Sequence, residues 1–208
     1  MNINQYYQKA HIENNEIILQ SHSLGKYNFI KEHEKLLYDI GKICDYGCNI
    51  GIISIKLASI YKNISFTLCD NHSDIQVAYK LIDYFKLNNV NVVTDDLMTL
   101  TMKYDLGIYY AIIHFLINVY DFDTVMNKII LTTNKYAILE FPLLSDFSVQ
   151  NLLRDNPENT DKFNVLKSLE SIILNIEKYF DIIKYRQINY DDPKLIRYAF
   201  LIKIKLNI

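Results

Sequence analysis

Apolar positions along this chain recur with two different periods, and the changes from one period to the other mark out the elements. Over residues 27–40, Phe29, Ile30, His33, Leu36, Leu37 and Ile40 keep helical spacing and predict a helix that ends near Gly41. The short apolar run Lys42 to Asp45 then reads as a first strand. Ile52, Ile53, Ile55, Leu57, Ala58 and Ile60 follow as a helix with a broad buried face. Ser65 to Cys69 predicts a second strand. Ser73 and Gln76 have capping-box spacing ahead of a helix that turns Ile75, Ala78, Tyr79, Ile82 and Phe85 inward. Strands are expected at Val90 to Val93, Tyr104 to Tyr110 and Tyr136 to Phe141, the last stopped by Pro142. A helix is expected around Phe122–Thr132. Residues 1–25 are polar and irregular, with room for one short helix.

The end of the chain has a different pattern. Val165, Leu166, Leu169, Ile172, Ile173 and Ile176 predict one amphipathic helix. Two strand-like runs, 180–188 and 196–206, flank a loop with Asp191-Asp192-Pro193. In the second run the even positions Ile196, Tyr198, Phe200, Ile202, Ile204 and Leu206 are all apolar, while the odd ones include Arg197, Lys203 and Lys205. So short a loop forces this pair to be antiparallel, because a parallel pair needs a crossover. Strands alternating with helices upstream predict right-handed βαβ units and a parallel sheet. The fold class expected is α/β: a Rossmann-like three-layer sandwich whose mostly parallel seven-stranded sheet has one antiparallel strand near the C-terminus.

Composition sets limits on this picture. With 208 residues, half of them apolar, the chain suits a single α/β domain with a short extension. The division expected is an N-terminal extension or lid over 1–28 and a main domain over 29–208. The net charge of −2, with Lys and Arg scattered, supplies no basic field for nucleic acid. Cys44, Cys48 and Cys69 form neither a disulfide framework nor a zinc set, which points to a reducing compartment and to packing roles, with no metal. Met1 to Tyr7 lacks the basic and apolar regions of a signal peptide. The longest apolar run, Leu106 to Tyr120, is too short to span a bilayer as a helix. A cytoplasmic protein with no membrane partner is the expectation; the oligomeric state is open.

The chemistry gathers around Asp45-Tyr46-Gly47-Cys48-Asn49-Ile50-Gly51. Only five glycines occur in the chain and two of them stand here, in a composition rich in Asn, Lys, Ile and Tyr. A glycine kept under such a bias points to a positive φ or to close approach of a ligand. In an open parallel sheet, ligands bind beyond the carboxyl ends of the strands. Asp45, Asp70 and Asp95-Asp96 end three successive strands at that edge. A dinucleotide fingerprint starting at Gly47 needs glycine at positions 49 and 52, where Asn49 and Ile52 stand. A P-loop needs Lys-Ser/Thr after Gly51, and the chain has Ile52-Ile53.

From about Phe29 to the C-terminus the chain resembles the class I S-adenosylmethionine-dependent methyltransferases. Their first motif, Asp-x-Gly-x-Gly-x-Gly, is matched by Asp45 to Gly51 with Asn49 in place of the middle glycine. The resemblance implies S-adenosylmethionine as cofactor and S-adenosylhomocysteine as product. It implies that Gly47, Cys48, Asn49 and Gly51 form the loop against the methionine part, with Asp45 near its ammonium. Asp70, followed by Asn71, would accept from the two ribose hydroxyls. Asp96, or else Asp95, would accept from the adenine amino group, with Leu97 on the ring; the alternative for this pair is a solvated turn. In Tyr104 to Phe115, which resembles the family's motif at the mouth of the site, Tyr110 would line the pocket. His114 would be the general base, or else a core histidine or one capping the next helix. His72 reads as a loop residue on the adenosine side.

Leu139-Glu140-Phe141-Pro142 with Val149-Gln150-Asn151-Leu152-Leu153 looks like methyltransferases of small metabolites or sugars. Residues 143–164 and 1–28 are expected to overhang the acceptor, with Ser21 to Tyr27 as a lid or a plain surface loop. The activity implied is methyl transfer (EC 2.1.1.-) to a hydroxyl or amine of a small-molecule acceptor. An RNA or RNA-phosphate methyltransferase is the alternative, disfavoured by the charge balance, and a non-catalytic methyltransferase-like binding or scaffold protein is a third reading.

Overall fold

The computed structural model describes residues 8–205. Met1 to Tyr7 and Leu206, the last apolar position of the final predicted strand, lie outside the described residues. The chain divides into two compact units, one reaching to Leu100 and the other beginning at Thr101.

In the first unit a two-stranded antiparallel ribbon, β1 (Ala10–Glu13) and β2 (Glu16–Leu19), precedes α1 (Ser21–Lys31). The ribbon occupies a stretch that reads as irregular in sequence. Its turn is Asn14-Asn15, both at positive φ (48° and 63°), the conformation a two-residue hairpin with native twist requires. The single helix expected over 27–40 is two elements instead: α1, and a 3-10 helix over Glu34–Asp39. α1 starts six residues before the expected helix, because its buried stripe runs through His22, Ser23, Lys26, Phe29 and Ile30.

The next elements follow the periodic pattern closely: β3 (Lys42–Tyr46), α2 (Ile52–Ile60), β4 (Ser65–Cys69), α3 (Ile75–Tyr84) and β5 (Val90–Val93). The expected capping box at Ser73 does not form. Asp74 precedes α3 in helical conformation and no side chain caps it. The three strands are parallel, and their register aligns Tyr46 with Cys69 and Cys69 with Val93. That alignment brings the residues just after each strand, including Gly47 and Asp70, to one edge.

The second unit holds β6 (Tyr104–Tyr109), α4 (Ile113–Val119), α5 (Phe122–Thr132), β7 (Thr133–Pro142), α6 (Phe147–Asp155), a 3-10 helix (Pro157–Leu166), α7 (Leu169–Ile176), β8 (Phe180–Ile188) and β9 (Arg197–Ile204). Pro142 does not stop the strand ahead of itself; it is the last residue of β7, opposite Arg197. The helix expected over 165–176 is split at Lys167-Ser168 into the 3-10 helix and α7. β6 and β7 are parallel, whereas β9 runs antiparallel to both β7 and β8.

The sheet has seven strands in the order β5-β4-β3-β6-β7-β9-β8. It is therefore mostly parallel with one antiparallel strand, β9, seated between β7 and β8, and helices connect its successive parallel strands except β5 and β6: a Rossmann-like α/β sandwich. Because β9 is interior, Ala199, Phe200, Leu201 and Ile202 are all buried, and Arg197 is buried with them. The polar-out reading of its odd positions holds only at Lys203 and Lys205. Among the described residues no helix is long and apolar enough to cross a membrane.

Candidate functional site

The loop from β3 to α2 is built on three left-handed residues at alternate positions: Gly47 (φ 66°), Asn49 (φ 53°) and Gly51 (φ 67°). Asn is among the few residues besides glycine that visit this region routinely. Asn49 thus keeps the backbone shape of a loop that would otherwise carry a third glycine. At Gly51 a Cβ would lie 2.6 Å from Leu68 Cδ1, so any other residue there would have to displace that buried side chain. The turn is pinned to the next strand by the Gly47 and Cys48 N–H groups, which donate to the Cys69 carbonyl at 2.8 and 3.2 Å.

Asp70 meets the same loop. Its Oδ2 accepts the Asn49 N–H at 2.7 Å, and its Oδ1 accepts the His72 N–H at 2.8 Å. The Asn49 side chain donates to Asp74 Oδ2 at 2.9 Å. Asp45, at the end of β3, is 4% exposed and accepts the Ser54 hydroxyl at 2.6 Å, which ties the strand end to the first turn of α2. Burial pushes its carboxyl up to about 7, against the pull of the Ser54 hydrogen bond and the Lys26 charge, with Asp70 adding to the rise.

The cysteines around the loop are buried and free. Burial, then the charges of Asp45 and Asp70, push the Cys48 thiol well above its ordinary range. Cys69 is pushed up to about 12 by burial and by Asp70 and Asp95. Both are poor nucleophiles at neutral pH.

Beyond β5, Asp96 forms a tight local turn: its Oδ1 accepts the Met98 N–H at 2.7 Å and its carbonyl accepts the Thr99 N–H and hydroxyl. Asp95 accepts the Cys69 thiol through its backbone carbonyl. Leu97 is buried at 5% exposure, and Asn71 is exposed. The first unit therefore bonds the glycine loop to Asp70, with Asp95 joined to the loop through Cys69, while Asp45 bonds Ser54 and Asp96 bonds within its own turn.

No protein-family model matches this chain, and none of the curated proteins matches it in sequence. Solved structures match it in fold. The magnesium protoporphyrin IX methyltransferase of Synechocystis PCC 6803 with bound SAH has a TM-score of 0.63 at 16% identity, over 97% of this chain and 92% of that one. The N-methyltransferase NodS of Bradyrhizobium japonicum WM9 has a TM-score of 0.58 at 11% identity, over 86% and 98%. A tRNA methyltransferase of M. jannaschii has a TM-score of 0.60 at 15% identity, over 96% of this chain and 57% of that one. The fold is that of the class I methyltransferases.

In this methyltransferase fold the second unit carries the other two residues singled out in sequence. Tyr110 is 5% exposed and follows β6. His114 is 1% exposed, in the first turn of α4, with its ring 4.3 Å from that of Phe115. Between them Ala111 sits at φ 56°, a left-handed conformation that costs an alanine about 1–2 kcal/mol.

Sequence reasoning missed two residues of the first unit. Lys26 is 2% exposed on α1 and its charge opposes the rise of the Asp45 pKa. It falls within the stretch read as a lid, where a lone lysine carries no signal of burial. Gln8 is 7% exposed and bonds the glycine loop from a polar segment with no motif. Nothing in the sequence marks a contact across that distance.

Proposed function

We propose that this chain is an S-adenosylmethionine-dependent methyltransferase that moves a methyl group to a hydroxyl or amine of a small-molecule acceptor. The observation that carries the reading is the bonded cluster of the three-residue left-handed loop with Asp70. An ionised carboxylate offers about four acceptor positions. The Asn49 and His72 N–H groups take one on each oxygen. One position remains on each oxygen, which suits the two vicinal hydroxyls of a ribose. Gly47 leaves room for the backbone to approach the methionine part, and Asp45 serves its ammonium, whose positive charge would favour the carboxylate form. Asp96 or Asp95, with Leu97, serves the adenine.

The cofactor supplies an electrophilic methyl, so the residues of this chain contribute mainly by binding and orienting the reactants. His114 is proposed as the group that takes the acceptor's proton and Tyr110 as a wall of the acceptor pocket.

Calorimetric titration with S-adenosylhomocysteine tests the reading. The wild-type chain is expected to bind, and Asp70→Ala is expected to weaken binding by at least about tenfold, the loss of one or two charge-assisted hydrogen bonds. Absence of binding by the wild-type chain would sink the proposal. Once an acceptor is found, His114→Ala should lower turnover by about a hundredfold with donor affinity retained, the scale of general base catalysis. Full turnover in that variant would remove the base and leave the donor site standing.

A further inference from the structure

The glycine loop leaves a deficit at the start of α2. The first N–H groups of any helix have no partner within it, and a Ser, Thr, Asp or Asn just before the helix usually accepts one of them. Here that position is Gly51, left-handed at φ 67°, where a Cβ would press on Leu68. A glycine there brings no side chain to cap the helix.

The cap arrives from 44 positions earlier in the chain. Gln8 Oε1 accepts the Ile52 N–H at 3.0 Å, and Gln8 Nε2 donates to the Cys48 carbonyl at 3.0 Å. The same carbonyl accepts the Gly51 N–H at 2.8 Å. One side-chain amide therefore clamps both ends of the turn Cys48–Ile52, with Asn49 and Gly51 between them. Gln8 is held in turn by its neighbours. The Lys9 N–H donates to Ser23 Oγ, buried on α1, at 3.0 Å. The Lys9 carbonyl accepts the Gln20 N–H at 3.0 Å, and Ala10 pairs with Leu19 across the ribbon. The hairpin and α1 thus deliver Gln8 to the loop.

We infer that Gln8 is a positioning residue that holds the Cys48–Ile52 turn in the conformation that receives the methyl donor. The inference rests on the reading of this loop as the donor site. It assigns the N-terminal ribbon a part in donor binding. Gln8 acts through the backbone of the loop, so its effect falls on donor affinity and on KM for the donor, while kcat at saturating donor is retained.

Two measurements on the full chain test it: calorimetric affinity for S-adenosylhomocysteine, and amide hydrogen exchange at Ile52 in the ligand-free protein. Gln8→Ala is expected to raise the dissociation constant about tenfold and to speed Ile52 exchange by a similar factor, the scale of one or two lost buried hydrogen bonds. Gln8→Glu keeps the acceptor for Ile52 and loses the donor to Cys48. It is expected to keep Ile52 protected while still weakening binding, and it carries the test if Gln8→Ala does not fold. A merely structural role would lower the melting temperature and leave the affinity of the folded protein unchanged, which would overturn the inference. So would Ile52 exchange in folded Gln8→Ala equal to wild type. A wild-type chain that binds no S-adenosylhomocysteine would instead overturn the donor-site reading, and with it the part of Gln8 in donor binding. Ile52 exchange would then still report on the clamp itself.

Discussion

Asn49 and Asp45 show what single residues contribute to the loop. Asn49 departs from the glycine pattern in sequence, yet its φ of 53° matches the two glycines on either side. Its N–H reaches Asp70 and its side chain reaches Asp74, so the substitution adds a link that glycine could not make. Asp45 is buried with its carboxyl pushed up to about 7 from an ordinary 3.8. Between those values the folded chain binds a proton that the unfolded chain has released, so stability falls as pH rises. The favourable contribution is complete below about pH 4 and is lost as pH passes 7. Asp45→Asn, an isostere that can still accept the Ser54 hydroxyl, should therefore be more stable than wild type at pH 8 by ~1 kcal/mol or more. It should also flatten the dependence between pH 4 and 7. Urea denaturation across that range measures both. The same substitution removes the anion proposed for the donor's ammonium, so affinity for S-adenosylhomocysteine should drop even as stability rises.

Among the elements, those with a clear apolar period are legible in sequence: β4, β5, α5 and β8 occupy the residues their patterns indicate. Elements defined by a local polar group are not. Ser168 interrupts an apolar stripe that reads as one continuous helix. Its extended backbone (φ −151°) and its side chain, which accepts the Ser171 N–H at 3.2 Å, begin α7 there. Ser168→Ala removes that cap, and a loss of about 1 kcal/mol is expected in thermal or urea unfolding. The Asn14-Asn15 hairpin was open to recognition, because paired Asn residues tolerate the positive φ of a two-residue turn. The four-residue strands on either side of it lack the strong alternation that draws attention to β9. α4 and α6 are short, and each lies within a stretch read as part of a longer apolar run or as an overhang.

Over the whole molecule, the decisive feature is the place of β9. Its antiparallel pairing follows from the short loop after β8, but its insertion between β7 and β8 does not. That insertion buries Arg197, whose Nε donates to Asp146 at 3.1 Å, Nη1 to Glu140 at 3.2 Å and Nη2 to the Ser148 hydroxyl at 2.9 Å. The Tyr190 hydroxyl also donates to Glu140, at 2.7 Å, and its ring lies 5.1 Å from the guanidinium. One cation here balances two carboxylates with no exposure of their own. Arg197→Met would leave both without their counter-charge, and a loss of about 3–5 kcal/mol in urea unfolding is expected. The cluster joins the end of β7, the start of α6 and the start of β9 within the second unit.

Periodicity and loop length were enough to determine the alternation of strands and helices, the parallel core and the antiparallel last pair, because each depends on residues close in the chain. The acidic ends of three strands around a glycine turn were legible for the same reason. Tertiary structure alone decided that Asn49 takes a glycine's conformation and that Arg197 is buried. It also decided that Gln8 caps α2 from the far side of a hairpin and that a buried lysine sets its charge against Asp45. Those outcomes depend on groups brought together across tens of residues, and hydrogen bonds and charges at such separations leave no period in the sequence.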